Sequence, residues 1–425
     1  MPPDQAEVAG VRPRTVWIVN HYADAPDRPN GTRHFDLARQ LVRRGHRLTI
    51  FAAGFSHVTG REERLARWQL FRTQRFDGVR FVWLRTTPYR GNTWRRQVNM
   101  LSFVAALLVV STREARPDVV IGSTVHPFAA LGAWFVARAR HARFVFEVRD
   151  LWPQTLVDLG ALREGSPRER LLRGIEAFLV RRAVAVITLL PGMRDYLEGR
   201  GLPADHVHYI PNGVDLVAFE AAAAASHPEA AGILAMIARM RAEGRFVVAY
   251  VGSFGRVNRV DVIVEAVREA ERRDPSRVGL IVVGDGPERA GLEAMADPAS
   301  TAILAAIPKR AVPAALRAVD AAVVHATATP VYRYGISFNK LFEALAAGRP
   351  VLFACASAYD PVATVGAGAT VAPDNPEALA VAMLALARLD PAVRADMGTS
   401  GRALVEQEHD IARLAQTLAD LIEWR

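Results

Sequence analysis

The sequence is poor in lysine, cysteine and long apolar runs. Of its 53 basic residues only Lys309 and Lys340 are lysine. The single cysteine, Cys355, excludes an internal disulfide and a cysteine-based metal cluster, and fits a reducing compartment. No window holds about 18 uncharged apolar residues, so no spanning helix is expected. The longest apolar run, Met100 to Val110, suits a buried or interfacial helix. Residues 1–14 are polar, carry Pro2, Pro3 and Pro13, and lack the apolar centre of a signal peptide. No histidines or carboxylates cluster at metal-ligand spacing, so no metal site is expected.

A chain of 425 residues, 51% hydrophobic, has material for two or three domains. Its net charge of +9 is uneven: residues 1–213 hold 32 Arg against 19 acidic residues, and residues 214–425 are mildly acidic. The basic half suggests a polyanionic partner, whether nucleic acid, anionic lipid or a phosphorylated substrate. Solvated arginine faces explain part of the same excess.

The elements alternate. Thr15 to Asn20 reads as a buried parallel strand. A loop Asn30-Gly31-Thr32-Arg33 feeds a helix with apolar residues at Phe35, Leu37, Ala38, Leu41 and Val42, and Arg47 to Ala52 is the next strand. This is a βαβ unit. Further strands are expected at 80–84, 118–122, 143–148, 184–188 and 207–210. Ser166-Pro167-Arg168-Glu169 reads as a helix start, with Ser at the N-cap, Pro at N1 and Glu reaching back from N3. Ile210-Pro-Asn-Gly-Val-Asp215 is turn chemistry and ends a first domain. The grammar then restarts: Phe246 to Gly252 is a strand, Asp261 to Glu271 a helix, and Gly279 to Gly284 a strand ending in Gly-Asp-Gly-Pro. Later strands fall near 302–307, 320–325, 350–354 and 369–371. The architecture expected is two doubly wound α/β domains, 1–213 and 214–404, with a last helix in 405–425 packing back on the first domain.

Tyr334 to Val351 is the most informative segment: a Gly/Ser loop, a helix, and a Gly-Arg-Pro turn into a strand. Lys340 and Glu343 share a face near the helix start. Helix N-termini attract phosphate, and an ionised carboxylate one turn on suits a ribose diol. An ordinary capped helix with a solvated lysine is the plainer reading.

Taken in order, Ile210-Pro-Asn-Gly-Val-Asp, Val251-Gly-Ser-Phe-Gly-Arg256, Val282-Val-Gly-Asp-Gly-Pro-Glu288 and Phe342-Glu-Ala-Leu-Ala-Ala-Gly-Arg-Pro-Val351 resemble the GT-B retaining glycosyltransferases of family 4. Phe146-Glu-Val-Arg-Asp-Leu-Trp-Pro153 and Tyr334-Gly-Ile-Ser-Phe-Asn-Lys340 resemble the branch that builds bacterial surface polysaccharide, the fucosamine-transferase-like proteins. The resemblance covers nearly the whole chain. It implies two Rossmann-like domains facing across a cleft, with acceptor on the first and nucleotide-sugar on the second. It implies retention of configuration and no required metal or cofactor. Two departures stand out. The family's paired glutamates are reduced to Glu343, because Gly335 occupies the first place. Its phosphate-binding Arg and Lys fall on Ser253 and Asn258.

On this reading Arg256, Lys340 and backbone amides at Gly31, Gly335 and Ser337 meet the donor phosphates. Glu343 grips the ribose, while Gly284, Ile307 and Pro308 lie along the nucleoside. Arg149 stands where the family often has histidine, and Glu147, Arg149 and Asp150 line the acceptor side or merely brace their loop. Asp150 or Glu147 is the candidate assisting base. His126 is a sugar-hydroxyl contact or a structural histidine. Trp94, Arg95 and Arg96, with Met100 and Phe103, mix cations and apolar groups, which suits a lipid-linked saccharide acceptor and peripheral contact with the anionic inner face of the cell membrane. The Arg-rich run Arg61 to Arg75, with Trp68 and Phe71, could assist; the alternative is one core helix and one exposed helix. UDP or GDP is the expected donor nucleotide. The competing readings are a sugar-nucleotide epimerase on the same fold, a partner that has lost chemistry at Gly335, and a nucleic-acid-binding protein. No nucleic-acid motif supports the last.

Overall fold

The computed structural model describes residues 12–27, 32–57, 59–91, 93–124 and 126–424. The chain forms two compact units: residues 1–211 with 411–425, and residues 212–410. The sequence reading breaks the chain two residues later, after 213, and six residues earlier, after 404.

In the first unit the elements are β1 (Thr15–Val19), α1 (Arg33–Arg43), β2 (Arg47–Ala53), a small antiparallel pair β3 (Phe55–Ser56) and β4 (Arg61–Glu62), β5 (Phe71–Phe76), β6 (Val79–Leu84), α2 (Trp94–Val110), β7 (Val119–Ser123), α3 (Pro127–Ala139), β8 (Arg143–Val148), α4 (Gln154–Asp158), α5 (Pro167–Arg182), β9 (Ala185–Thr188), α6 (Met193–Glu198) and β10 (Val207–Tyr209). The sheet order is β10-β9-β8-β7-β1-β2-β6-β5. All pairs are parallel except β5 with β6. Helices cover both faces, so β1, β7 and β9 are buried along their whole length. Ser166 Oγ accepts from Glu169 N at 3.2 Å and Pro167 opens α5, as the sequence suggested; Glu169 itself turns to Arg173.

The run Arg61 to Arg75 is not a helix. It forms β4, a turn and the edge strand β5, whose Arg72 and Arg75 place charge along an otherwise open sheet edge. Arginine there reads as edge protection.

In the second unit follow α7 (Leu216–Ala224), α8 (Ala231–Ala242), β11 (Phe246–Val251), α9 (Val260–Arg273), β12 (Val278–Val283), α10 (Arg289–Met295), β13 (Thr301–Leu304), α11 (Val312–Ala318), β14 (Ala321–His325), α12 (Asn339–Ala346), β15 (Val351–Ala354), α13 (Pro361–Val365), β16 (Gly368–Val371), α14 (Pro376–Arg388) and α15 (Pro391–Leu404). The all-parallel sheet runs β13-β12-β11-β14-β15-β16. Helix α9 buries Val260, Ile263, Val264, Val267 and Ala270 at helical spacing.

The last helix, α16 (Ile411–Glu423), belongs to the first unit. Its Ile411, Leu414, Leu418 and Ile422 join the same core as Val16, Ile18, Leu37 and Leu41. Each such side chain is worth about 1.5–3 kcal/mol when fully buried.

Candidate functional site

Each sheet reverses its winding once. In the second unit β11 lies between β12 and β14, and the crevice beyond their C-terminal ends is where doubly wound sheets hold ligands. The loop after β11, the end of β14 and the first turn of α12 meet there. Lys340 is half-buried, and its Nζ lies 2.6 Å from Asn258 Oδ1 and 3.4 Å from both Tyr250 Oη and the His325 carbonyl. The ammonium also sits 5.0 Å from the Tyr250 ring centroid. All its oxygen partners are neutral, and no carboxylate pairs with it among the described residues. Burial lowers its pKa to about 8.

Asp374 braces this corner. Its carboxylate accepts from Thr327 Oγ1 at 3.1 Å, Ala328 N at 3.0 Å and Arg259 Nη1 at 3.2 Å. Arg259 stands in the left-handed region at φ 42° and also pairs with Asp261. It is therefore a brace for the 256–259 turn, with its guanidinium already committed. Arg256 is different: its side chain is 91% exposed and among the described residues pairs only with Glu288, at 3.4 Å.

Other expected donor contacts have structural work of their own. The Gly335 amide donates to Tyr332 O at 2.9 Å, so it is not open to a phosphate; its φ of 99° explains the glycine. Ser337 is tied to Asn212, accepting from its amide at 3.0 Å and from its side chain at 2.6 Å. Gly284 is glycine because a Cβ there would lie 1.9 Å from the Gly252 carbonyl. Ile307 and Pro308 are half-buried at the sheet's end, next to Lys309, which forms an ion pair with Glu343. Gly31 lies outside the described residues.

In the first unit the reversal falls at β1, between β2 and β7. Here the structure corrects two expectations. His126 is fully buried and caps α3: its Nδ1 accepts from Ala129 N at 3.3 Å, and its Nε2 lies 2.9 Å from His21 Nδ1. Because an amide N–H can only donate, His126 carries its proton on Nε2 and gives it to His21. Both ring nitrogens are engaged, so no sugar hydroxyl can be met. Burial lowers the His126 pKa to about 3, Arg96 adding to the effect. His21 is stacked on Phe103 of α2 at 4.5 Å and lies beside Asn99.

Glu147 is also taken. It is 2% exposed, with Arg33 Nε on one oxygen at 3.1 Å and His34 Nε2 on the other at 2.6 Å. Burial alone would raise its pKa, but His34, Arg33 and Arg149 hold it well below the usual range. A carboxylate so held is a poor base. Arg33 also donates to the carbonyls of Ile210 and Pro211, fixing the last residues before the second unit.

Asp150 remains. It follows β8 with its side chain open to solvent, and its carboxylate has no hydrogen bond among the described residues. Neighbouring protein still crowds it enough that desolvation raises its pKa, against the pull of Arg149. The Arg149 amide donates to Thr124 Oγ1 at 2.9 Å, and its Nε is buried without a partner.

Helix α2 splits the third group. Trp94 is 69% exposed and Arg95 points outward over its ring. Arg96 turns inward, beside Tyr89 and the histidines 21, 57 and 126. Trp94 and Arg95 line an open recess of about 530 Å³ with Pro88, Tyr89, Arg90 and Thr93. Beyond it Val98, Leu101, Leu108 and Val109 are exposed along α2. Among the described residues no helix is long and apolar enough to cross a membrane, and no group of histidine, cysteine and carboxylates could hold a metal ion.

Solved structures share this architecture over nearly their full length. Sucrose-phosphate synthase from Thermosynechococcus elongatus superposes with a TM-score of 0.72 at 18% identity, covering 96% of this chain and 98% of that one. Anabaena HepE, solved with UDP and glucose, gives 0.66 at 15% identity over 96% and 99%. WaaG, a glycosyltransferase involved in lipopolysaccharide biosynthesis, gives 0.66 at 16% over 97% and 100%. Two Rossmann-like units of this kind are the GT-B fold. Residues 31–213 match the model of the glycosyl transferase 4-like domain, and residues 245–388 that of the glycosyl transferases group 1. The chain belongs to the glycosyltransferases of this fold. No curated protein matches its sequence.

Proposed function

We propose that the enzyme is a retaining transferase that moves a sugar from a UDP- or GDP-sugar to a lipid-linked saccharide during assembly of a bacterial surface polysaccharide, at the inner face of the cell membrane and without a metal. The observation that carries the donor half is Lys340: an ammonium placed at a sheet reversal and a helix start, with only neutral oxygens around it. Such a cation is electrostatically incomplete until an anion arrives. Arg256, exposed and paired with Glu288, supplies the second positive charge. The neighbours solved with UDP or a UDP-sugar support a nucleotide-sugar donor.

In the transfer the bond from the sugar's C1 to the phosphate oxygen breaks, and the acceptor hydroxyl oxygen bonds to C1 on the same face. Charge builds on the departing diphosphate, where Lys340, Arg256 and the amides opening α12 stabilise it. The acceptor's proton passes to the leaving phosphate or to Asp150, the carboxylate left free at the end of β8. Glu343 takes the ribose hydroxyls.

For the acceptor, the recess beside Trp94, Arg90 and Arg95 offers two cations to a diphosphate, and the apolar strip of α2 continues from it. Charge of that sign and exposed Trp, Val and Leu suit an anionic bilayer surface.

A thermal-shift panel of UDP-, GDP- and dTDP-sugars tests the donor half, because a ligand at a hundred times its Kd adds about 2.7 kcal/mol. One sugar nucleotide should raise Tm in the wild type and not in Lys340→Ala. No shift from any of them, or an equal shift in the variant, would refute the reading.

A further inference from the structure

The two lysines of this chain stand at one site, and they divide its two kinds of partner. Lys340 is the second residue of α12, and Glu343 lies three residues on, on the same face. The obvious ion pair would be Lys340 with Glu343. It is not made. Lys340 reaches to Asn258, Tyr250 and the His325 carbonyl. Glu343 pairs instead with Lys309, brought in by the short turn Lys309–Ala311 after Pro308. The side chain of Glu343 is only 15% exposed, so its charge needs a cation close by. Only one of its oxygens, Oε1, carries the Lys309 contact.

We propose that Lys309 is a positioning residue for donor binding: it holds Glu343 away from Lys340, which keeps the phosphate-site ammonium un-neutralised and leaves one carboxylate oxygen for the ribose. This rests on the donor reading above. Without Lys309 a poorly hydrated carboxylate sits one turn from a lysine that has only neutral partners. The pair then closes along the helix, and both ligand-binding groups are spent on each other. Asn258 completes the arrangement, since a neutral amide orients Lys340 without cancelling its charge.

The test uses the full chain and exploits its lysine content. Labelled with ¹³C at lysine Cε, the wild type gives two signals, and Lys309→Met leaves Lys340 alone. The Lys340 titration midpoint is expected to move upward in Lys309→Met and to return in Lys309→Met/Glu343→Gln, where no carboxylate remains to attract it. Lys309→Arg, which keeps the cation, should behave as wild type. Inorganic pyrophosphate, which has no ribose, should bind on the order of tenfold more weakly to Lys309→Met, as expected for loss of one charge-assisted contact. It should regain affinity in the double variant. An unchanged Lys340 midpoint in Lys309→Met would overturn the proposal, whatever the protein binds. Failure of the wild type to bind any nucleoside diphosphate would instead refute the donor reading, with the midpoint still deciding the role of Lys309.

Discussion

Lys340 Nζ lies 2.6 Å from Asn258 Oδ1, so the ammonium is oriented by a neutral amide. An amide holds the ammonium by a dipole; a carboxylate of the same shape would hold it by cancelling it. Asn258→Asp is therefore expected to weaken donor binding more than Asn258→Ala. The alanine variant leaves a partly buried donor short of one partner, worth about 1–3 kcal/mol. The aspartate variant adds an opposing charge beside the Lys340 ammonium. Calorimetric Kd values for the preferred nucleotide rank the two, and an aspartate variant as tight as wild type would contradict the assignment.

Donor affinity should fall as pH rises through about 8. The half-buried Lys340 has its pKa lowered to about 8 by desolvation, so above that pH the free enzyme offers a neutral amine. An arriving diphosphate raises that pKa again, so binding near pH 8.5 takes up a proton. Titration calorimetry in buffers of different ionisation enthalpy measures the uptake directly. Equal heats in all buffers would remove Lys340 from the phosphate contact.

The two carboxylates in β8 and just after it should separate cleanly. Glu147→Gln breaks a buried pair with Arg33 and His34, and a cost of about 3–5 kcal/mol is expected in chemical denaturation. Asp150→Asn removes a charge that supports no hydrogen bond, so stability should hold within about 0.5 kcal/mol while kcat falls. Stable but fully active Asp150→Asn protein would exclude the base role.

Acid should destabilise the first unit before its carboxylates titrate. His126 is held neutral down to about pH 3, and burial lowers His21 and His34 as well. Below the ordinary histidine value of about 6.5 the unfolded chain takes protons that the folded chain refuses. Stability is thus complete above that pH and falls continuously below it. Asn caps helices well, so His126→Asn should keep α3 while lessening the slope of Tm between pH 6.5 and 4. An unchanged slope would mean that His126 is not among the groups responsible.

Much of the architecture was legible because strands such as Thr15–Val19 and Phe246–Val251 are covered on both faces and so are apolar throughout. The place of Lys340 in the first turn of a helix was legible from the Gly/Ser loop before it. What could not be read was the direction of each side chain. Glu147 and Asp150 lie three residues apart, in β8 and just after it, yet one turns into Arg33, more than a hundred residues earlier, and the other into solvent. Arg95 and Arg96 are neighbours on a helix, so about 100° of rotation sends one outward and one to the histidines. The motifs place Gly335, Ser337 and Gly284 beside a ligand; the Gly335 amide, the Ser337 hydroxyl and carbonyl and the missing Cβ of Gly284 serve loop packing. Lys309 carried the same signal of rarity as Lys340, but no spacing rule links position 309 to 343.

The chain leaves its first unit at Pro211 and returns at Ile411, and inside the second unit the two passages are laced together. Val214 N donates to His409 O at 2.8 Å, and His409 Nδ1 contacts Asn212 O at 3.0 Å. Residues 212–410 therefore form a cassette with adjoining ends, inserted into a host fold that is incomplete without its own tail. Truncation at 410 would strip Ile411, Leu414 and Leu418 from the host's core, whereas exchange of the whole cassette would leave that core entire. Grafting a relative's 212–410 segment between Pro211 and Ile411 would thus test directly whether the second unit sets the donor, as proposed.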